Sequence, residues 1–355
     1  MRLKLRWIAV FELVIIIALI ILLSISFYGK PAVEANELKN EFNDENTPDQ
    51  LNLLNNSSGL LSPRIYAGIL EPKSFMISHF SNLQDAIQKY INDNNISASV
   101  YVQNLRNGAA FGINQREGVF PASINKLPIA ILVLQDVEKG KLNFTTPILI
   151  EASLITETSD QIYRENSYLP LKDLLERMLS ESDNTAYYQL SNNIDEQDLR
   201  LLTTYYGLDG EGIYSWNKEK WLNNPKLSPR LLANIFSSLY FSTVLEPKNS
   251  EYLLSLLTNT SFDIHSISHL PQSITISQKY GYYDVDGISL LSDCGIMYIN
   301  QSRILYCISI RNADRQKSLN AIGAMINAIY SYVTQTRSTL DLFKKQGYIS
   351  PPAAP

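Results

Sequence analysis

Residues 274–311 read ITISQKYGYYDVDGISLLSDCGIMYINQSRILYCISIR, and the pattern of this stretch decides the fold. Apolar, β-branched and aromatic residues dominate 274–282, 289–299 and 304–311, which read as three consecutive strands. A two-residue loop of Asn300 and Gln301 pairs Ile299 with Ser302, and counting back sets Cys294 opposite Cys307. A disulfide and a pair of core thiols are both open to that pair. Residues 316–332 follow as a long helix with small residues on one side, so the stretch predicts an antiparallel sheet with a helix packed on it.

Working outward, residues 75–92 carry Ile77, Phe80, Leu83, Ile87, Tyr90 and Ile91 at helical spacing, and 96–102 then alternates as a strand. A second short strand, 110–114, follows the turn Arg106-Asn107-Gly108, and 122–138 is a strongly apolar helix ended by Lys139-Gly140. Residues 171–190 and 229–240 are further helical stretches separated by polar loops. The middle of the chain is helical and its end is a sheet.

The 355 residues hold 30 Lys and Arg against 35 Asp and Glu, a net charge of −5 that creates no field for recruiting a polyanion, so nucleic acid is not an expected partner. Two cysteines make neither a disulfide-dense scaffold nor a cysteine zinc site. His265 and His269 are spaced to share a helix face, but no third ligand accompanies them. Neither a metal nor a cofactor is expected.

Residues 7–28, WIAVFELVIIIALIILLSISFY, contain one ionisable group, Glu12, and as a helix of about 33 Å would span a hydrocarbon core. Arg2, Lys4 and Arg6 precede the run, which keeps the N-terminus in the cytoplasm and sends the rest of the chain across the membrane. An uncleaved anchor in 1–28 is the reading preferred here. A signal peptide cut after the small residues Val33 and Ala35 is the alternative. Residues 29–73 shift to Asn, Glu, Asp, Ser and Pro, a polar tether with a root-mean-square reach of about 35–40 Å. The folded domain is expected over 74–335, and 336–355 as a flexible tail.

The chemistry must work without imidazole. There is no Gly-x-Ser-x-Gly elbow, and His79, His265 and His269 sit in no context that suggests a general base. Ser123-Ile124-Asn125-Lys126 lies where Phe120-Pro121-Ala122 passes into the apolar helix. Three residues make close to one helical turn, which points the Ser123 hydroxyl and the Lys126 amine the same way at a helix N-terminus. An amine acts as a base only if burial or a neighbouring cation lowers its pKa, so a second cation is sought.

Two further short motifs follow in order: Ser182-Asp183-Asn184, and Lys279-Tyr280-Gly281 on the first strand of the C-terminal sheet. With Phe120-Pro121-Ala122-Ser123 and Ser292-Asp293-Cys294-Gly295-Ile296, they make residues 75–333 similar to the penicillin-recognising serine hydrolases, in particular the class A β-lactamase-like family. The resemblance implies an α/β fold: an α/β/α sandwich with an antiparallel sheet plus an all-helical subdomain. It implies acyl-enzyme chemistry on a β-lactam or another amide, with a β-lactam or a peptidoglycan-derived compound as the small substrate.

Carried over residue by residue, the resemblance makes Ser123 the acylated nucleophile and Lys126 its base. Ser182 passes a proton to the departing amine, and Asn184 bonds the substrate amide and Lys126. Lys279 is the second cation, holding a substrate carboxylate and favouring neutral Lys126, with Tyr280 and Gly281 beside it on the substrate-binding strand. The backbone N–H groups of Ser123 and Tyr282 form the oxyanion hole. Asp183 supports its loop. Glu219-Lys220-Trp221-Leu222-Asn223 resembles the Glu-x-x-Leu-Asn loop of class A β-lactamases, making Glu219 the base that activates the deacylating water and Asn223 a second holder of that water.

One departure stands out. The family has Thr or Ser in the middle of its third motif where this chain has the bulky phenol of Tyr280. Two other functions share the motifs: a D-Ala-D-Ala carboxypeptidase or other cell-wall peptidase, and a relative that binds without turnover.

Overall fold

The structure, a computed structural model, describes residues 80–156, 163–207, 218, 222, 226–285, 287–300 and 302–345. The apolar segment 7–28, the tether 29–73, Glu219 and Asn223 lie outside the described residues. Among the described residues no helix is long and apolar enough to cross a membrane.

Among the described residues seven strands form two sheets. Strands β1 (Ser97–Asn104), β2 (Ala110–Ile113), β5 (Thr275–Val285), β6 (Ile288–Ile299) and β7 (Ser302–Arg311) build a five-stranded sheet in the order β2-β1-β7-β6-β5. Strands β3 (Pro147–Leu149) and β4 (Tyr168–Pro170) pair separately. Every pairing is antiparallel. Ile299 pairs with Ser302 and Cys294 with Cys307, the register the two-residue loop dictates. The two sulfurs are joined as a disulfide, which closes the alternative the sequence left open.

Nine α-helices are described. They are α1 (Ser81–Asp93), α2 (Lys126–Glu138), α3 (Leu171–Glu176), α4 (Asn184–Asn192), α5 (Glu196–Tyr206), α6 (Pro229–Tyr240), α7 (Pro247–Leu256), α8 (Ile264–Ser268) and α9 (Arg315–Lys345). Helix α1 buries Leu83, Ile87 and Ile91 on one stripe, and with α9 it covers one sheet face through a core including Val100, Ile308, Ile322 and Ile326. The opposite face, with Ile296 and Leu305, packs against α6 and continues into the helical core built around α2. Helices on both faces make the α/β/α sandwich, and α2–α5 make the helical subdomain. Every residue from Lys126 to Leu134 is buried, so α2 is surrounded rather than amphipathic, and each of its Ile and Leu side chains contributes about 1.5–3 kcal/mol by leaving water.

Four expectations need correction. The helix expected over 122–138 is a 3₁₀ turn, Ala122–Asn125, followed by α2. The helix expected over 171–190 is broken: α3 widens into a π-type turn at Arg177–Glu181, Ser182 takes a left-handed conformation (φ 61°), and α4 restarts at Asn184. The restart is capped by the Asp183 carboxylate, which accepts a hydrogen bond from the Ala186 N–H at 2.7 Å. His265 and His269 do not share a helix face, because α8 stops at Ser268 and His269 is left-handed. Helix α9 runs on to Lys345, into the stretch expected as a tail, where no Gly or Pro interrupts it.

Candidate active site

The serine turn is wedged against the edge of the sheet. Ala122 sits at φ 48°, a region non-glycine residues rarely adopt, and that bend turns the chain into the 3₁₀ turn carrying Ser123. Opposite lies Gly281 of β5. A Cβ at Gly281 would stand 2.3 Å from the Pro121 carbonyl oxygen and 3.0 Å from the Ser123 nitrogen, so only glycine permits this approach. Two residues along each segment, the rings of Phe120 and Tyr283 meet edge to face with centroids 5.1 Å apart. Beyond them a cavity of about 500 Å³ opens between Phe120, Tyr283, Ile288, Leu290 and Arg311.

Strand β5 is the sheet's edge, with β6 as its one strand partner. The Gln278 N–H points off that edge, donating to the Leu257 carbonyl at 2.9 Å. Backbone N–H direction alternates along a strand and the β5–β6 register is unbroken, so the N–H groups of Tyr280 and Tyr282 share the outward edge while those of Lys279 and Gly281 face β6.

One turn after Ser123, the Lys126 side chain is 3 % exposed. Its amine donates to the Ser182 carbonyl, to the Ser182 hydroxyl at 3.3 Å and to the Asn184 side-chain oxygen at 2.8 Å. The π-type turn and left-handed Ser182 aim that carbonyl and hydroxyl at one point. Among the described residues no hydrogen bond joins the Ser123 hydroxyl to the amine, which the second motif engages instead. Burial pulls the Lys126 amine down from the usual lysine range to about 7, with Asp183 opposing the shift.

Lys279 is 0 % exposed, and among the described residues its amine has no hydrogen-bond partner. Burial first, and then the charge of Lys126, push it well below the ordinary lysine range, while Asp293 opposes them. The two amines share one electrostatic environment. Burial is the main cause of the low Lys126 value, and burial together with the neighbouring Lys126 charge lowers Lys279.

Sequence reasoning missed the groups behind Lys279. Asp293, fully buried, stands opposite Tyr280 across the ladder and accepts a hydrogen bond from the Tyr306 hydroxyl at 2.7 Å. Burial lifts its carboxyl to about 8. A charged residue at the centre of a strand of small and apolar residues was the available signal. Asn125 was missed as well; its amide donates to the Tyr187 hydroxyl at 3.2 Å and ties the serine turn to α4. Tyr280 turns its ring onto Phe262, with centroids 4.6 Å apart and planes 19° from parallel, in the core on the other side of the sheet from α2. Ser123, Lys126, Ser182, Asn184, Lys279 and Gly281 thus gather where α2, the start of α4 and β5 meet, a buried amine one turn from a serine in a fold of the β-lactamase type.

Comparison with known proteins gives the same fold. Solved structures of the same fold include PBP-A (22 % identity, 72 % of this chain and 97 % of that one, TM-score 0.62). Others are the extended-spectrum β-lactamase TLA-3 (16 %, 71 % and 98 %, TM-score 0.64) and a β-lactamase from Chitinophaga pinensis (20 %, 71 % and 99 %, TM-score 0.62). No curated protein sequence matches the chain. Residues 82–333, from the first turn of α1 well into α9, match the family described as the Beta-lactamase enzyme family, and the chain belongs to that family.

Proposed function

We propose that the protein is a serine hydrolase that forms an acyl-enzyme on Ser123 with a β-lactam or a peptide-like amide. The observation that carries this reading is the Lys126 amine: buried, lowered to about 7, held by Ser182 and Asn184, and one turn from the Ser123 hydroxyl. Neutral Lys126 takes the Ser123 proton as Oγ bonds to the substrate carbonyl carbon. The Ser123 and Tyr282 N–H groups receive the developing oxyanion. The C–N bond then breaks as the Ser182 hydroxyl delivers its proton to the departing nitrogen and takes the proton held by Lys126 in its place, which returns both side chains to their starting states. Water activated by Glu219 and held with Asn223 attacks the ester, releasing the acid and restoring Ser123; this step rests on the sequence pattern of residues 219–223. The catalytic domain works outside the cytoplasmic membrane, tethered through residues 7–28.

Intact-protein mass spectrometry with a fluorescent penicillin tests the reading. A transient adduct on Ser123, absent in Ser123→Ala, is expected; labelling that survives Ser123→Ala overturns the assignment. A durable adduct indicates a cell-wall peptidase, and no adduct a binding module.

A further inference from the structure

An anion-holding cation has to present its hydrogens to the cleft, and Lys279 does not. Its amine is wholly buried and lies 4.9 Å from the centroid of the Tyr280 ring, within range of a cation–π contact. That ring is fixed in turn. It stacks on Phe262, whose backbone carbonyl accepts from the Gln278 amide at 2.9 Å, so the aromatic pair is pinned to β5 from both sides. The nearby carboxyl, Asp293, is internal and stands opposite Tyr280 on β6. The position where a small hydroxyl would offer a donor to a carboxylate therefore carries a ring turned onto Phe262 instead. Of the cations near this end of β5, Arg311 already has both Glu117 carboxylate oxygens as acceptors, and the Arg315 guanidinium lies over the Tyr282 ring, 5.2 Å from its centroid.

We propose that Tyr280 makes Lys279 an internal, ring-capped group rather than an anchor for a substrate carboxylate, so that the enzyme accepts acyl donors with an uncharged group at that position as readily as anionic ones. The inference rests on Ser123 being the acylated residue, as proposed above. The substrate class is a neutral lactam or amide. A charge-assisted hydrogen bond from an exposed ammonium favours the acid by about tenfold to a hundredfold, and that preference is what the chain should lack.

The test compares acylation rate constants of the full chain for a benzylpenicillin-type lactam as the free acid and as its methyl ester, followed by intact mass. Rates within about threefold of each other are expected. An acid preference of about tenfold or more overturns the inference and leaves the Ser123 reading standing. No adduct from either reagent overturns both. Tyr280→Phe should keep the wild-type ratio, because the ring and not the hydroxyl caps the amine. Tyr280→Thr should raise the acid preference by about tenfold, and a ratio unmoved in a folded Tyr280→Thr protein removes Tyr280 from the explanation. Should Tyr280→Thr fail to fold, the wild-type ratio decides alone.

Discussion

Lys279 stands directly opposite Cys294 across the β5–β6 ladder, and Cys294 is bonded to Cys307 on β7. With Tyr101 opposite Cys307 on β1, these residues form one row across four strands on the sheet face toward α2. The row links the third-motif lysine, on the edge strand, to the middle of the sheet. The protein, unfolded without reductant, should therefore show no thiol to a thiol-reactive dye. Two reactive thiols would contradict the row. Replacing both cysteines by alanine should lower the unfolding free energy by about 2–3 kcal/mol in denaturant titration, mainly by freeing the unfolded chain.

Gly281→Ala tests the wedge. The added methyl group meets the Pro121 carbonyl and the Ser123 nitrogen, both backbone atoms, so β5 and the serine turn must separate. A shift of about 1 Å at a reacting centre costs on the order of a hundredfold in rate. Acylation of Ser123 should fall by at least that factor, with a lower melting temperature. A folded Gly281→Ala protein that acylates at the wild-type rate would show that this approach is not required.

Lys126→Met separates the base from its stability cost. Acylation should fall by about a thousandfold, read as adduct formation over time. The folded amine titrates near 7 and the unfolded one near the usual lysine value, so between those values the unfolded chain binds more protons. Folding stability contributed by Lys126 therefore rises with pH from about 7 to about 10, and the variant should lack that rise in urea titrations.

Glu219→Ala should lengthen the life of the penicillin adduct by at least about a hundredfold while leaving its rate of formation within severalfold of wild type. An unchanged adduct lifetime removes Glu219 from the mechanism.

Much of this site was legible because its spacing rules are local. The two-residue loop at Asn300 and Gln301 set the hairpin register that brings Cys294 to Cys307, and the three-residue spacing put Ser123 one turn before Lys126. The break at 177–182 was not legible, because left-handed Ser182 belongs with contacts to Lys126, 56 residues away in the chain. Nor was the direction of the Tyr280 ring, which depends on Phe262 arriving from the loop before α8. The burial of Asp293 and its bond from Tyr306 were not legible either, because they follow from the register of three strands that encloses it.

The most direct test of the central claim is the pH dependence of Ser123 acylation by a penicillin, measured as adduct formation under single-turnover conditions. If buried, neutral Lys126 is the base, the rate constant rises with pH through an apparent midpoint of about 7 and then levels, the midpoint belonging to the interacting Lys126 and Lys279 amines together. A rate unchanged between about pH 5 and 9, or a midpoint in the ordinary lysine range near 10, would contradict the account.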